Sequence, residues 1–142
     1  MTVAQRAAIG AAILFIGIVG FQLALALGAP WGRASYGGGV EHPGIDLRIG
    51  SAVAVVLWTA AAAIVLKRVG FAVWAPLPRR ALPVAIWVLF GIMVVQVLLN
   101  TLTPSALERA IWLPVSALLA AALAIVAIAS RRLERVPVTL TS

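Results

Sequence analysis

Residues 81–107, ALPVAIWVLFGIMVVQVLLNTLTPSAL, contain no Asp, Glu, Lys, Arg or His. Such a run exceeds the roughly 20 helical residues that cross the hydrocarbon core of a bilayer. Three more uncharged runs accompany it, at residues 7–32, 49–66 and 110–130. Lipid offers no partner to an open strand edge, and a barrel needs alternating polarity that these runs lack. The sequence therefore predicts an all-α integral membrane fold. The expected architecture is a four-transmembrane-helix antiparallel bundle with spans near 5–29, 47–67, 81–100 and 105–130.

Composition agrees. Of 142 residues, 63% are hydrophobic and only 11% are charged, against about 25% charged in an ordinary soluble domain. Mean hydropathy is +1.12. Four spans leave no room for a separate soluble domain, so residues 1–142 are read as a single membrane domain. The first run is longer than the h-region of a signal peptide, about 7–15 residues. That favours a retained span over cleavage after Ala24-Leu25-Ala26.

The charges orient the bundle. Arg6, then Lys67, Arg68, Arg79 and Arg80 in the second loop, then Arg131, Arg132 and Arg135 in the tail face only one acid, Glu134. The first and third loops balance, with Arg33, Arg48 and Arg109 against Glu41, Asp46 and Glu108. All of the net charge of +7 thus falls on one side. Basic loop residues stay cytoplasmic, so both termini are placed inside (N-in, C-in), in a membrane of the bacterial inner-membrane type. This account of the charge also makes nucleic acid an unneeded partner.

Local signals refine the spans. Asp46 is an expected N-cap for the second helix. Pro83 suits the first turn of the third. Ser105-Ala106-Leu107-Glu108 reads as a capping box for the fourth, and Pro114 should kink that helix. In helix one, Gly10, Gly17, Gly20, Ala24 and Gly28 fall within about 80° of one another at the helical repeat. Such a small-residue stripe permits close approach of a helix from the same or another subunit.

Chemistry is sparse. There is no cysteine, which excludes disulfides and thiolate metal sites, and His42 is the only histidine. No metal site, cofactor or catalytic constellation is expected. The four-helix length resembles that of the small multidrug exporters. The acid that family carries in helix one is missing here, and none of the four uncharged runs holds an ionisable residue to carry a coupled ion.

The carboxamides inside the uncharged runs are Gln22, Gln96 and Asn100. Counting about 1.5 Å per residue puts Gln22 and Gln96 at similar depth toward the outer end. With Arg33 from the first loop they form a candidate pocket for a polar or anionic head. The glycine-rich segment 37–39 adds backbone N–H groups able to form an anion nest. Glu41, His42, Glu108 and Arg109 are further candidates on the outer surface. The competing structural reading makes the carboxamides interhelical hydrogen-bonders.

Three functions remain. The first is a structural, accessory or partner-binding subunit, as a homo-oligomer or with another membrane protein. The second is a small oligomeric transporter or channel for a neutral or weakly charged solute. The third is a lipid-binding or lipid-modifying enzyme using Glu41, His42, Glu108 or Arg33. The lipid bilayer is the partner common to all three.

Overall fold

The computed structural model describes residues 1–134, and the side chains of residues 1–131. The charges of Arg132, Glu134 and Arg135 in the orientation argument therefore lie outside the described side chains. Regular structure among the described residues is entirely helical: α1 (Val3–Ala26), α2 (Ile45–Arg68), α3 (Leu82–Leu102) and α4 (Ala106–Glu134), with short 3-10 turns at Gly32–Ala34, Tyr36–Gly38 and Arg79–Ala81. Four helical stretches are long and apolar enough to cross a membrane, and a 24-residue helix spans about 36 Å.

Helix ends follow local chemistry. α1 starts two residues before the expected Gln5, because Thr2 and Gln5 close a capping box: the Gln5 N–H donates to Thr2 Oγ1 at 3.1 Å and the Thr2 N–H to Gln5 Oε1 at 2.9 Å. It stops at Ala26 in a Schellman turn. The Gly28 N–H donates to the Leu25 carbonyl and the Ala29 N–H to that of Ala24, both at 2.9 Å. This turn needs the left-handed conformation that Gly28 adopts, φ +94°. Gly70, φ +95°, ends α2 the same way. Gly28 is thus a helix stop beyond α1 and not part of a helical stripe.

The N-cap of α2 is Gly44, and Asp46 sits within the first turn. There its carboxylate still complements the positive end of the helix dipole. The capping box of α4 is half formed. Ser105 Oγ accepts from the Glu108 N–H at 3.2 Å, but Glu108 Oε2 accepts from the Thr103 hydroxyl at 2.8 Å instead of reaching back to Ser105. Pro114 lies inside α4. Arg48 links two helix ends: its Nε donates to the Ala26 carbonyl at 2.9 Å, closing the C-terminus of α1 with a cation.

Around the bundle the helices follow chain order. α1 packs on α2 and α4, α3 packs on α4, and the α2–α3 seam is the thinnest. The α1 contact face is Ala4, Ala8, Ala11, Ala12 and Phe15, all buried. Ala8, Ala11 and Ala12 share a buried cluster with Ala61 and Ala62 of α2, and Phe15 stacks on Trp58 with ring centres 5.5 Å apart. Small side chains are what bring helix backbones together where lipid is as apolar as leucine.

The glycine stripe lies about 180° away around α1. Gly10, Gly17 and Gly20 are exposed, with no atom within 4 Å of where a Cβ would stand. Within the chain, alanines make the close approach that the stripe suggested for glycines.

Connections are tied to the bundle. Lys67 Nζ donates to the carbonyls of Ala75 and Leu77, at 3.3 and 3.2 Å, drawing the α2–α3 loop against the end of α2. At the other end the α1–α2 loop folds over the helices. The Tyr36 hydroxyl meets Ser51 Oγ at 2.6 Å, the Ser105 hydroxyl donates to the Arg33 carbonyl at 3.4 Å, and the Trp112 indole N–H donates to the Ala34 carbonyl.

Candidate functional site

Where the α1–α2 loop crosses the helices, a cavity of about 140 Å³ opens between them. Every helix contributes. α1 supplies Ile18, Phe21 and Gln22; α2 supplies Trp58; α3 supplies Met93, Gln96 and Asn100; α4 supplies Glu108, Trp112, Val115, Ser116 and Leu119; and the loop adds Ser35. The helix periodicity explains the groupings. Ile18 and Gln22 are one turn apart, as are Gln96 and Asn100, and Trp112, Ser116 and Leu119 follow a single face of α4.

The walls divide by chemistry. Met93 and Leu119 are fully buried hydrophobics, and beyond them Phe15, Val65, Ile86, Leu123 and Val126 fill the bundle core without exposure. The other walls carry the polar groups. Asn100 Nδ2 donates to Ser116 Oγ at 3.3 Å, and Ser116, itself buried, donates to the Trp112 carbonyl at 2.7 Å. Phe21 meets Trp112 edge-on at 4.8 Å and stacks with Trp31 at 6.3 Å, an aromatic cluster beside the loop.

Gln22 and Gln96 stand differently. Both are half-buried and both line the cavity. Among the described residues neither side chain has a hydrogen-bond partner. Each carboxamide has two donors and two acceptor positions. Left dry in an apolar medium, such a group costs about 2–7 kcal/mol. Two of them together rival the whole stability of a small protein, about 5–15 kcal/mol. The polar atoms of both carboxamides keep accessible surface, so the cavity is open to water. At about 30 Å³ per water it has space for roughly four or five waters.

The four pocket candidates are thus split. Gln22, Gln96 and Asn100 line one cavity. Arg33 does not; its guanidinium pairs with Glu41 at 3.0 Å in the exposed loop. An exposed pair of this kind contributes about 0–1 kcal/mol. The N–H groups of Gly32, Ala34, Ser35 and Gly38 donate to carbonyls of the loop itself, which leaves those four unavailable for an anion nest.

The outer-surface candidates do not converge. His42 is exposed, as is Arg109, whose guanidinium donates to the Thr103 carbonyl. Glu108 turns inward and lines the cavity. Among the described residues it is the only formally charged one in the wall, where the sequence had suggested Arg33. Four lining residues with polar groups escaped sequence reasoning: Ser35, Trp58, Trp112 and Ser116. Ser116 falls one turn after Trp112 on α4, a spacing that marks a shared face but gives no sign of which way the face looks. Among the described residues no three of His, Cys, Asp and Glu gather to hold a metal ion.

No known family model, curated protein or solved structure matches this chain. The site's own chemistry has to carry the functional reading.

Proposed function

We propose that this chain is a multi-pass membrane protein that binds a small polar solute in the cavity between its helices, as the binding unit of an oligomeric transporter or channel. One observation carries the reading. Gln22 and Gln96, from different helices, present unpaired carboxamides to one small cavity within apolar spans. Polar side chains kept at membrane depth without protein partners mark a solute path more readily than a packing contact.

The volume sets the class of ligand. An apolar cavity near 150 Å³ accepts benzene, so about six non-hydrogen atoms is the ceiling here. A drug-sized ligand needs about 300 Å³ or more. The filled core beyond Met93 and Leu119 makes the cavity a binding site closed on one side, and passage requires that core to open.

The arrangement we propose has four antiparallel crossings, both termini cytoplasmic, and α4 bent at Pro114, in an inner membrane. The contact of the α1–α2 loop with the α3–α4 connection, through Ser105 and Arg33, supports alternate crossings. The basic residues Lys67, Arg68, Arg79, Arg80 and Arg131 support the inward assignment of the other end. The whole chain acts as one membrane domain in this reading.

The test is calorimetric titration of the purified protein in detergent with acetamide, urea, glycerol and guanidinium. Binding of at least one, lost when Gln22 and Gln96 are replaced together, is expected. A protein that binds none of the four overturns the proposal. A second reading, an accessory subunit that packs on another membrane protein or a second copy, is favoured by the open surface at Gly10, Gly17 and Gly20. Gly17→Leu leaves the fold intact on that geometry, and unchanged association in membranes would remove the second reading.

A further inference from the structure

The cavity carries charge of one sign. Among the described residues its wall has one carboxylate, Glu108, and no Lys, Arg or His. Arg33 pairs with Glu41 at 3.0 Å, and the Arg109 guanidinium donates to the Thr103 carbonyl. Glu108 itself accepts from the Thr103 hydroxyl through Oε2, and among the described residues it forms no ion pair. The remaining polar lining offers acceptors alongside its donors, since each carboxamide has both. The carbonyl oxygens of Gln22 and Gln96 have no described partner, and Asn100 spends its amide N–H, not its oxygen, on Ser116.

A carboxylate in the wall of an apolar bundle attracts opposite charge far more strongly than one in water, since the interaction scales inversely with the local dielectric constant. Charge-assisted hydrogen bonds are also roughly twice as strong as neutral ones. We propose that the site takes a small organic cation bearing N–H donors, of the alkylammonium or guanidinium class, with Glu108 as its counter-ion and the carboxamide oxygens as its acceptors. This rests on the solute-binding reading above and gives it a sign of charge. It also reverses the anionic ligand that the sequence suggested through Arg33. The volume of about 140 Å³ holds guanidinium, while a whole phospholipid headgroup exceeds it.

Guanidinium and urea form the natural probe pair. They are planar, nearly the same size, and differ in charge. Each is titrated at millimolar concentration into the full chain in detergent, at matched ionic strength, following the fluorescence of Trp58 and Trp112 in the cavity wall. Guanidinium is expected to bind about tenfold more tightly than urea, and Glu108→Gln should bring that ratio close to one. Gln keeps an acceptor for Thr103, and thermal melting checks that the variant is folded. The wild-type ratio stands as a test even if the variant fails to fold. Urea binding as tightly as guanidinium overturns the charge assignment and leaves the solute-binding reading intact, as does a preference that survives in Glu108→Gln. If the wild type binds neither probe nor the other solutes, the solute-binding reading falls and this inference with it.

Discussion

Replacing Gln22 and Gln96 together by Met separates a solute site from interhelical glue. Met is close to Gln in length and shape but offers the cavity no strong donor or acceptor. Neither carboxamide has a partner among the described residues, so the substitution breaks no bond within the protein. Exchanging a polar group for an apolar one of the same shape is then nearly neutral or stabilising, and folding stability should change by less than about 1 kcal/mol. Affinity responds differently. A solute that spends one hydrogen bond on each carboxamide loses two, at about 0.5–1.5 kcal/mol apiece. Its dissociation constant should rise between about fivefold and 150-fold. Stability is read from SDS-driven unfolding in mixed micelles, and affinity from calorimetry with the best-binding solute. A loss of more than about 2 kcal/mol of stability with affinity unchanged would refute the reasoning, because it would show the carboxamides bonding helices together.

Three further substitutions probe the frame around the cavity. Tyr36→Phe deletes the hydroxyl that meets Ser51 at 2.6 Å and donates to the Leu47 carbonyl at 3.3 Å. It should cost about 1 kcal/mol in SDS unfolding and speed proteolysis in the 29–44 loop, where Tyr36 is held at φ +50°. Gly28→Ala forces a Cβ into the left-handed conformation and against the Arg48 guanidinium carbon at 3.4 Å. A loss of about 1–2 kcal/mol is expected by the same unfolding assay. Arg33→Ala removes only an exposed ion pair and should shift stability by less than about 1 kcal/mol. It should also leave solute affinity unchanged, which calorimetry checks.

The spans were legible because charge is so costly in lipid that its absence over 81–107 admits few other readings. Helix ends were legible only in part: Ser105 caps α4 as its side chain suggests, while the Thr2–Gln5 box that starts α1 went unread. Gly44 caps α2 without a side chain, and Gly28 stops α1 at Ala26, three residues before the expected end of the span at 29. The faces of the helices were hardly legible at all. In water a helix betrays its buried side by contrast with its wet side. Here Ile13 and Ile16 face outward while Phe15 is buried, and all three are equally apolar. For the same reason the glycines of α1 competed with its alanines as a packing face. The alanines win: Ala8, Ala11 and Ala12 are buried in one cluster with Ala61 and Ala62 of α2.

At the site, depth was countable and direction was not. The rise along α1 and α3 brings Gln22 and Gln96 to one level, and both line the cavity. Arg33 and Glu108 exchange the roles their positions suggested. Glu41 lies eight residues after Arg33, and the loop returns it to the guanidinium, with the Gly32 N–H on the Glu41 carbonyl at 3.0 Å closing the turn. Glu108 is turned inward by Thr103, whose hydroxyl holds its carboxylate. Neither pairing leaves a periodic trace, since both are made across loops.

Cysteine accessibility tests the central claim most directly, that water reaches Gln22 and Gln96 within an apolar bundle. The chain has no cysteine, so single replacements need no altered background. Gln22→Cys and Gln96→Cys should react with a small, water-soluble, membrane-impermeant thiol reagent added from outside. Val95→Cys, next to Gln96 but 53% exposed on the apolar surface, should stay unlabelled in the membrane. Equal silence at all three positions would contradict the account, because it would mean a dry bundle with no solute site.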